Sequence, residues 1–325
     1  MKNIIIGIDI SCKTLDICIK NEGTLNYLAI ENKIPAIKRF FKKYNYENVM
    51  VAMENTGRYN WNLLEVLESF DFKVYVISPL HLKKSMGLTR GKNDKIDSLR
   101  ICNFIEKNHE CTMPWKPCSD TIKKIKILLT ERALRVKIKK QFTVVQNDYK
   151  LMKGIGLDKR LIALNLKAIR HIESQIAVIE NDIEETIQKD QELANYQKLI
   201  KSVPGVGKVL SWILLSKTEG FTSITDPRKM ACYSGVAPFD YQSGTSLKRR
   251  PAVSMFADKG IKAILHLAAM SAIRLDNDLR KYYRRKVEEG KNKMSVLNAV
   301  RNKIIHRVFA VIKNQIPYQK DLVLS

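Results

Sequence analysis

Ile4-Ile5-Ile6-Gly7-Ile8-Asp9 is an unbroken apolar run closed by a carboxylate. Polar and apolar residues do not alternate in it, so it reads as a strand buried on both faces rather than an edge strand. A second run of the same kind, Val49-Met50-Val51-Ala52-Met53-Glu54, also ends on an acid. A charge at the end of a buried strand is costly unless something pairs with it, and a divalent metal is the usual partner. Either acid alone reads as a cap at a turn. Asp94 and Asp97, in Lys92-Asn93-Asp94-Lys95-Ile96-Asp97, lie three apart and so share one face of a helix. Two strand-end acids and an i,i+3 acid pair in a very basic chain point to metal-dependent phosphodiester chemistry. Oxygen-only ligands suit Mg²⁺ or Mn²⁺ rather than zinc.

Outward from these runs, strand patterns fall at 3–9, 15–20, 24–30, 48–54 and 73–78, and helical patterns at 34–44, 60–70 and 92–107. Asn21-Glu22-Gly23 suits the hairpin between the second and third strands. Three consecutive strands followed by αβαβα is the order of an α/β ribonuclease H-like (RuvC-like) domain, expected over 1–110. Pro114, Pro117 and Ser119 break the pattern and mark a linker at 111–120.

The chain has 325 residues, with 57 Lys and Arg against 33 Asp and Glu, a formal charge of +24. An excess this large in a folded protein implies a polyanionic partner, most often nucleic acid. Apolar residues make up 45% of the chain, enough for real cores, so a disordered basic tail is excluded. The six cysteines form no CxxC pair and read as reduced core residues of a cytosolic protein. The five scattered histidines weaken a zinc reading further. No signal peptide and no apolar stretch long enough for a bilayer are apparent, so a cytoplasmic protein is expected.

From 121 to about 195 the pattern is helical, with Ile122, Ile125 and Leu129, then Ile172, Ile176, Ile179, Ile183 and Ile187. An interruption near Gly154-Ile155-Gly156 suggests two long antiparallel helices, a coiled-coil arm occupying 111–197 together with the linker. Residues 121–140 hold eight Lys and Arg and one acid, Glu131. Two readings fit them equally: a solvated face, or a phosphate-contacting surface using Lys123, Lys124, Lys137 and Lys140.

A third region, 198–325, is expected to be mostly helical. Ser202-Val203-Pro204-Gly205-Val206-Gly207-Lys208 before the apolar run 209–215 has the form of a helix-hairpin-helix turn. Its glycines would let backbone N–H groups approach a phosphate at the next helix N-terminus. A tight turn without a ligand is the plain alternative. Residues 259–325 carry 15 Lys and Arg against 5 Asp and Glu.

Lys92-Asn93-Asp94-Lys95-Ile96-Asp97-Ser98 resembles the K-x-D-x-x-D-A signature of the DEDD-type insertion-sequence transposase/recombinase family, relatives of the Piv-type DNA invertases. Tyr233-Ser234-Gly235-Val236-Ala237-Pro238 with Tyr241-Gln242-Ser243-Gly244-Thr245-Ser246 resembles the family's second signature, as does 267–274 with Tyr282-Tyr283. The similarity spans nearly the whole chain in the family's order.

The resemblance implies a recombinase of a mobile element, acting on element and target DNA as a homo-oligomer, a dimer or tetramer. Some family members are guided by a noncoding bridge RNA. It implies a metal-binding tetrad of Asp9, Glu54, Asp94 and Asp97, and Ser243 as covalent nucleophile. From spacing alone Ser243 is a turn hydroxyl, with Ser234, Thr245 and Ser246 as neighbours of equal standing. Where family members carry a basic S-K-R-G stretch, this chain reads Ser254-Met255-Phe256-Ala257-Asp258-Lys259-Gly260. Lys248-Arg249-Arg250, just upstream, are expected to take over its phosphate contacts. The alternative is a metal-dependent junction-resolvase-like nuclease that needs the four acids and no serine. A third possibility is a nucleic-acid binder without catalysis.

Overall fold

The computed structural model describes residues 3–44, 48–85, 94–151, 158–243 and 247–319; the side chains of Asn3, Asp94, Asp158 and 240–250 lie outside the described set. The chain forms two compact units, Met1–Pro117 and Cys118–Ser325.

The first unit is built on a five-stranded sheet in the order β3-β2-β1-β4-β5. Strands β1 (Asn3–Ile10), β2 (Thr14–Asn21) and β3 (Thr24–Glu31) form an antiparallel meander, while β4 (Asn48–Glu54) and β5 (Lys73–Ile77) run parallel to β1. The β2–β3 turn has Glu22 at φ 47° and Gly23 at φ 84°. These left-handed values are what a two-residue hairpin turn requires. Helix α1 (Ile34–Phe41) joins β3 to β4, and α2 (Trp61–Leu67) joins β4 to β5. A short helix α3 (Pro79–Ser85) follows β5, and α4 (Asp94–Asn108) closes the unit.

The central strand is apolar throughout because both its faces are covered. Ile4, Ile6, Ile8 and Ile10 face a core shared with Ile37 and Phe41 of α1 and Leu63 and Leu67 of α2. Ile5, with Cys18, Met50, Ala52 and Tyr75, faces Ile101, Cys102 and Ile105 of α4. Gly7 lies on that second face. A Cβ there would sit 2.4 Å from the Ser98 carbonyl oxygen and 2.6 Å from the Cys102 nitrogen. Glycine therefore lets the helix backbone rest directly on the strand. Ser98, 1% exposed, fills the same narrow gap from the helix side. The Cys102 thiol donates to the carbonyl of Cys18 at 3.1 Å, and Lys20 pairs with Glu106 at 2.6 Å.

The second unit is mostly helical. Helices α5 (Asp120–Leu151) and α6 (Asp158–Gln188) lie side by side. Arg132 meets Glu180, Arg135 meets Gln175 and Lys139 meets Glu173. The numbers rise on one helix as they fall on the other, so the pair is antiparallel. Several of the cations in 121–140 are thereby balanced: Arg132 and Lys139 across the pair, Arg135 by Glu131, and Lys126 by Glu219. Lys124, Lys137 and Lys140 stay exposed.

Helices α7 (Gln191–Ser202) and α8 (Lys208–Thr218) flank the expected turn. Gly205 has φ 86°, and a Cβ on it would lie 2.3 Å from the Ala268 carbonyl oxygen. Its glycine requirement thus comes from conformation and from packing on a neighbouring helix. Gly207, with nothing within 4 Å of its would-be Cβ, is open. Helix α9 (Pro227–Tyr233) leads to a two-stranded sheet, β6 (Pro238–Ser243) and β7 (Leu247–Val253). Helices α10 (Lys259–Ala272), α11 (Asp278–Glu288) and α12 (Lys293–Asn314) complete the unit. Val300, Ile304 and Val308 of α12 are fully buried beside Trp212, Leu214 and Leu215 of α8.

The third region is mostly helical, as expected, with β6 and β7 set between its helices. One expectation needs correction. The cysteines are not uniformly core residues, since Cys18 and Cys102 are buried but Cys12 and Cys111 are exposed.

Replacing Gly7 by Ala should destabilise the protein by about 1–3 kcal/mol, because the neighbouring atoms are backbone and cannot rotate away. Gly23→Ala, which meets nothing, should cost only about 1–2 kcal/mol through its positive φ. Urea unfolding checks the stabilities, and a Gly7→Ala protein as stable as wild type would contradict this account of the β1–α4 contact.

Candidate active site

The register of the sheet sets the acids. Asp9 pairs with Asp16 across β1 and β2. On the other side, Ile8 of β1 lies beside Met53 of β4 in a parallel ladder. The next step of that register sets Asp9 beside Glu54. Asp16, Asp9 and Glu54 therefore stand level on three adjacent strands. Alternation along the strands puts all three on the face that α4 covers, since Gly7 and Ala52, two residues earlier, contribute to that face.

The direction of α4 brings the remaining acids to the same end of the sheet. Glu106 reaches Lys20, which lies opposite Ile5; Ser98 lies at Gly7. Descending numbers on the helix thus move toward the level of Asp9, and Asp97 and Asp94 occupy its first turn. Asp97 is partly buried and ion-paired with Arg100 at 2.7 Å. Asp9 accepts from the Ile10 backbone N–H at 3.1 Å. The strand end after Glu54 is held by Asn60, which is 2% exposed. Its amide donates to the Glu54 carbonyl at 3.1 Å, and its oxygen accepts from the Thr56 N–H at 3.1 Å and from the Thr56 hydroxyl.

Among the described residues, no three His, Cys, Asp or Glu side chains are gathered tightly enough to hold an ion. Asp94 is outside that comparison. The acids aligned at this end of the sheet, Asp9, Asp16, Glu54 and Asp97, offer carboxylate oxygens, the hard donors that Mg²⁺ or Mn²⁺ takes. Asp97 meets Arg100 through a single carboxylate oxygen, Oδ1. Asp16, level with Asp9, escaped the sequence reading because it sits inside a strand and closes no apolar run. Its register with Asp9 is the signal that finds it.

The second-signature residues lie in the other unit. Ser243 is the last residue of β6, opposite Leu247, with Lys248 opposite Gln242 and Arg249 opposite Tyr241; Gly244, Thr245 and Ser246 lie outside the described residues. The segment leading into this hairpin is anchored from α12. Asn298 donates to the Val236 carbonyl at 2.8 Å and accepts from Arg301, whose guanidinium also meets His266 Nδ1 at 2.8 Å. Arg301 is only 6% exposed. Burial therefore pulls its pKa below the usual arginine range. Lys208, after Gly207, lies 3.9 Å from Glu184 and is 63% exposed. No helix among the described residues is long and apolar enough to cross a membrane.

A family model for DEDD transposases of the IS110 type matches residues 6–147, and one described as the transposase IS116/IS110/IS902 family matches 197–284. Both matches define an enzyme of the DNA transposase and recombinase class. The chain belongs to the IS110-type transposase family. A pilin gene-inverting protein of Moraxella bovis is 26% identical over 337 residues, covering 99% of each chain. Its namesake in Moraxella lacunata is likewise 26% identical with the same coverage. An uncharacterized 43.6 kDa protein of insertion element IS110 from Streptomyces coelicolor is 28% identical over 124 residues, 38% of this chain and 30% of the relative.

Asn60→Ala should strand the Glu54 carbonyl and the Thr56 N–H without their partner. A stability loss of about 1–3 kcal/mol is expected. Thermal unfolding measures the loss, and a melting temperature equal to that of wild type would contradict this account of the strand end.

Proposed function

We propose that this chain cleaves and rejoins DNA during movement of an insertion sequence, using a metal-bound acid tetrad and a serine nucleophile. The first unit is read as a ribonuclease H-like, RuvC-like catalytic domain over 1–110. The α5–α6 pair is read as a coiled-coil arm, with the linker filling 111–197, and 198–325 as the domain bearing the helix-hairpin-helix and the serine. The observation that carries the reading is the level row of Asp9 and Glu54 with the first turn of α4 toward it.

In this reading Asp9, Glu54, Asp94 and Asp97 hold Mg²⁺ or Mn²⁺. The bound cations would supply charge stabilisation for the attacking and leaving oxygens of a phosphodiester. Ser243 Oγ gives up its proton and forms a bond to phosphorus, while one bridging oxygen departs and takes up a proton to become a DNA hydroxyl. The phosphoserine ester keeps the energy of the broken bond. A DNA hydroxyl then attacks that ester, releasing the serine and rejoining the strand. Hydrolysis by a nuclease would discard this energy, which is why strand exchange favours the covalent route.

Lys248, Arg249 and Arg250, on the strand after the serine, are assigned to phosphate contacts. So are Gly205, Gly207 and Lys208 at the α7–α8 turn, and Lys123, Lys124, Lys137 and Lys140 on α5. Gly207 and the exposed lysines suit this best; Gly205 has a packing reason of its own. A noncoding bridge RNA as guide, and a dimer or tetramer in which one copy's acids serve another's serine, complete the proposal.

Asp9→Asn should lower cleavage by at least about 100-fold while DNA binding persists. Denaturing gels of a trapped reaction should show DNA attached to protein, lost in Ser243→Ala and kept in Ser246→Ala. Mixing Asp9→Asn with Ser243→Ala protein should restore part of the activity. Normal recombination by Ser243→Ala would leave the resolvase-like nuclease as the better reading.

A further inference from the structure

Trp61 stands at the start of α2 and is 56% exposed, whereas Trp212 is 1% exposed. A tryptophan this accessible contributes little to a core, yet the backbone that presents it is firmly held. Asn60, immediately before it, is the buried residue that binds the Glu54 carbonyl. Asn62, immediately after it, donates to the Asn32 carbonyl at 2.9 Å. Asn32, 7% exposed, in turn donates to the carbonyls of Ser11 at 3.0 Å and Tyr59 at 3.1 Å. The indole is thus bracketed by two anchored residues. One anchor binds the end of β4, which carries Glu54; the other binds Asn32, just after β3, which in turn holds Ser11 in the β1–β2 turn that follows Asp9.

A cation accompanies the ring. Arg58 is exposed, with its guanidinium carbon 5.1 Å from the centre of the Tyr59 ring and its Nη2 donating to the Tyr59 hydroxyl at 3.2 Å. Trp61 thus offers an exposed aromatic side chain on a held backbone, three residues after an exposed guanidinium that is itself seated on Tyr59. An aromatic ring with a cation close by in the chain is a combination that takes an unpaired nucleobase, the ring stacking on the base and the cation meeting a phosphate. A base inside a duplex has both faces covered by its neighbours, so the platform selects a base already out of the stack.

We propose that Trp61 and Arg58 form a stacking site for an unpaired nucleobase flanking the phosphodiester at the carboxylate row. The proposal rests on the reading of that row as the reaction centre. It names the state of the substrate there as locally single-stranded DNA.

The test uses the full chain in EDTA, so that no cleavage occurs. The probes are a fluorescent single-stranded oligothymidylate and a blunt hairpin duplex. Trp61→Ala should bind the single strand about 5- to 150-fold more weakly, with the duplex affinity changed less than about twofold. Trp61→Phe should keep most of the single-strand affinity. The oligothymidylate should also quench tryptophan emission of the wild type, and the quenching should vanish in Trp61→Phe, which retains Trp115 and Trp212. Equal losses on both probes, no loss on either, or quenching that persists in Trp61→Phe would overturn the proposal. In a separate assay with Mg²⁺, undiminished cleavage by Asp9→Asn would sink the reading of the centre without touching the stacking result.

Discussion

The contact between the backbone of β1 at Gly7 and that of α4 at Ser98 and Cys102 governs everything at the carboxylate end of the sheet. A helix resting on a strand through ordinary side chains would stand about 10 Å off and could slide. One resting on glycine approaches closely, and the backbone atoms it meets leave it no alternative register. The Cys102 thiol bonds the Cys18 carbonyl at the same contact, and the Lys20–Glu106 pair holds the end of α4 further from the acids. Held at these two levels, α4 directs its first turn toward the level of Asp9 and Glu54. Like charges on adjacent strands repel, and Asp9 opposite Asp16 is such a pair.

Much of this was legible in the sequence, for identifiable reasons. A strand buried on both faces must be apolar along its length, so β1 and β4 declared themselves, and the acids ending them stood out. Glu22-Gly23 announced its hairpin because few residues accept positive φ. Spacing of three put Asp94 and Asp97 on one helix face without any structure. The antiparallel sense of α5 and α6 followed from the Gly154–Gly156 break between two apolar repeats.

What escaped was what depends on register or on packing between distant segments. Asp16 becomes a neighbour of Asp9 only when β2 pairs with β1 in a particular alignment. The β6–β7 hairpin carries Pro, Asp and Gln at strand positions and a bulge between Phe239 and Tyr241, so no clean alternation marks it. Gly205 was read for phosphate approach, but its close neighbours are Ala268 and Ala272, sixty-odd residues away in sequence. The asparagine network around Trp61 was invisible for the same reason: Asn32, Asn60 and Asn62 look like turn residues until their partners are known.

Direct binding of a divalent ion at the carboxylate row tests the central claim. Mn²⁺ titrated into the DNA-free protein and followed by electron paramagnetic resonance should lose its free-ion signal in wild type. Asp9→Asn, Glu54→Gln and Asp97→Asn should each weaken that binding by at least about tenfold. Arg100→Gln, which releases Asp97 from its ion pair, should strengthen it. Mn²⁺ binding that is indifferent to all three acid substitutions would show that the aligned carboxylates are not a metal site.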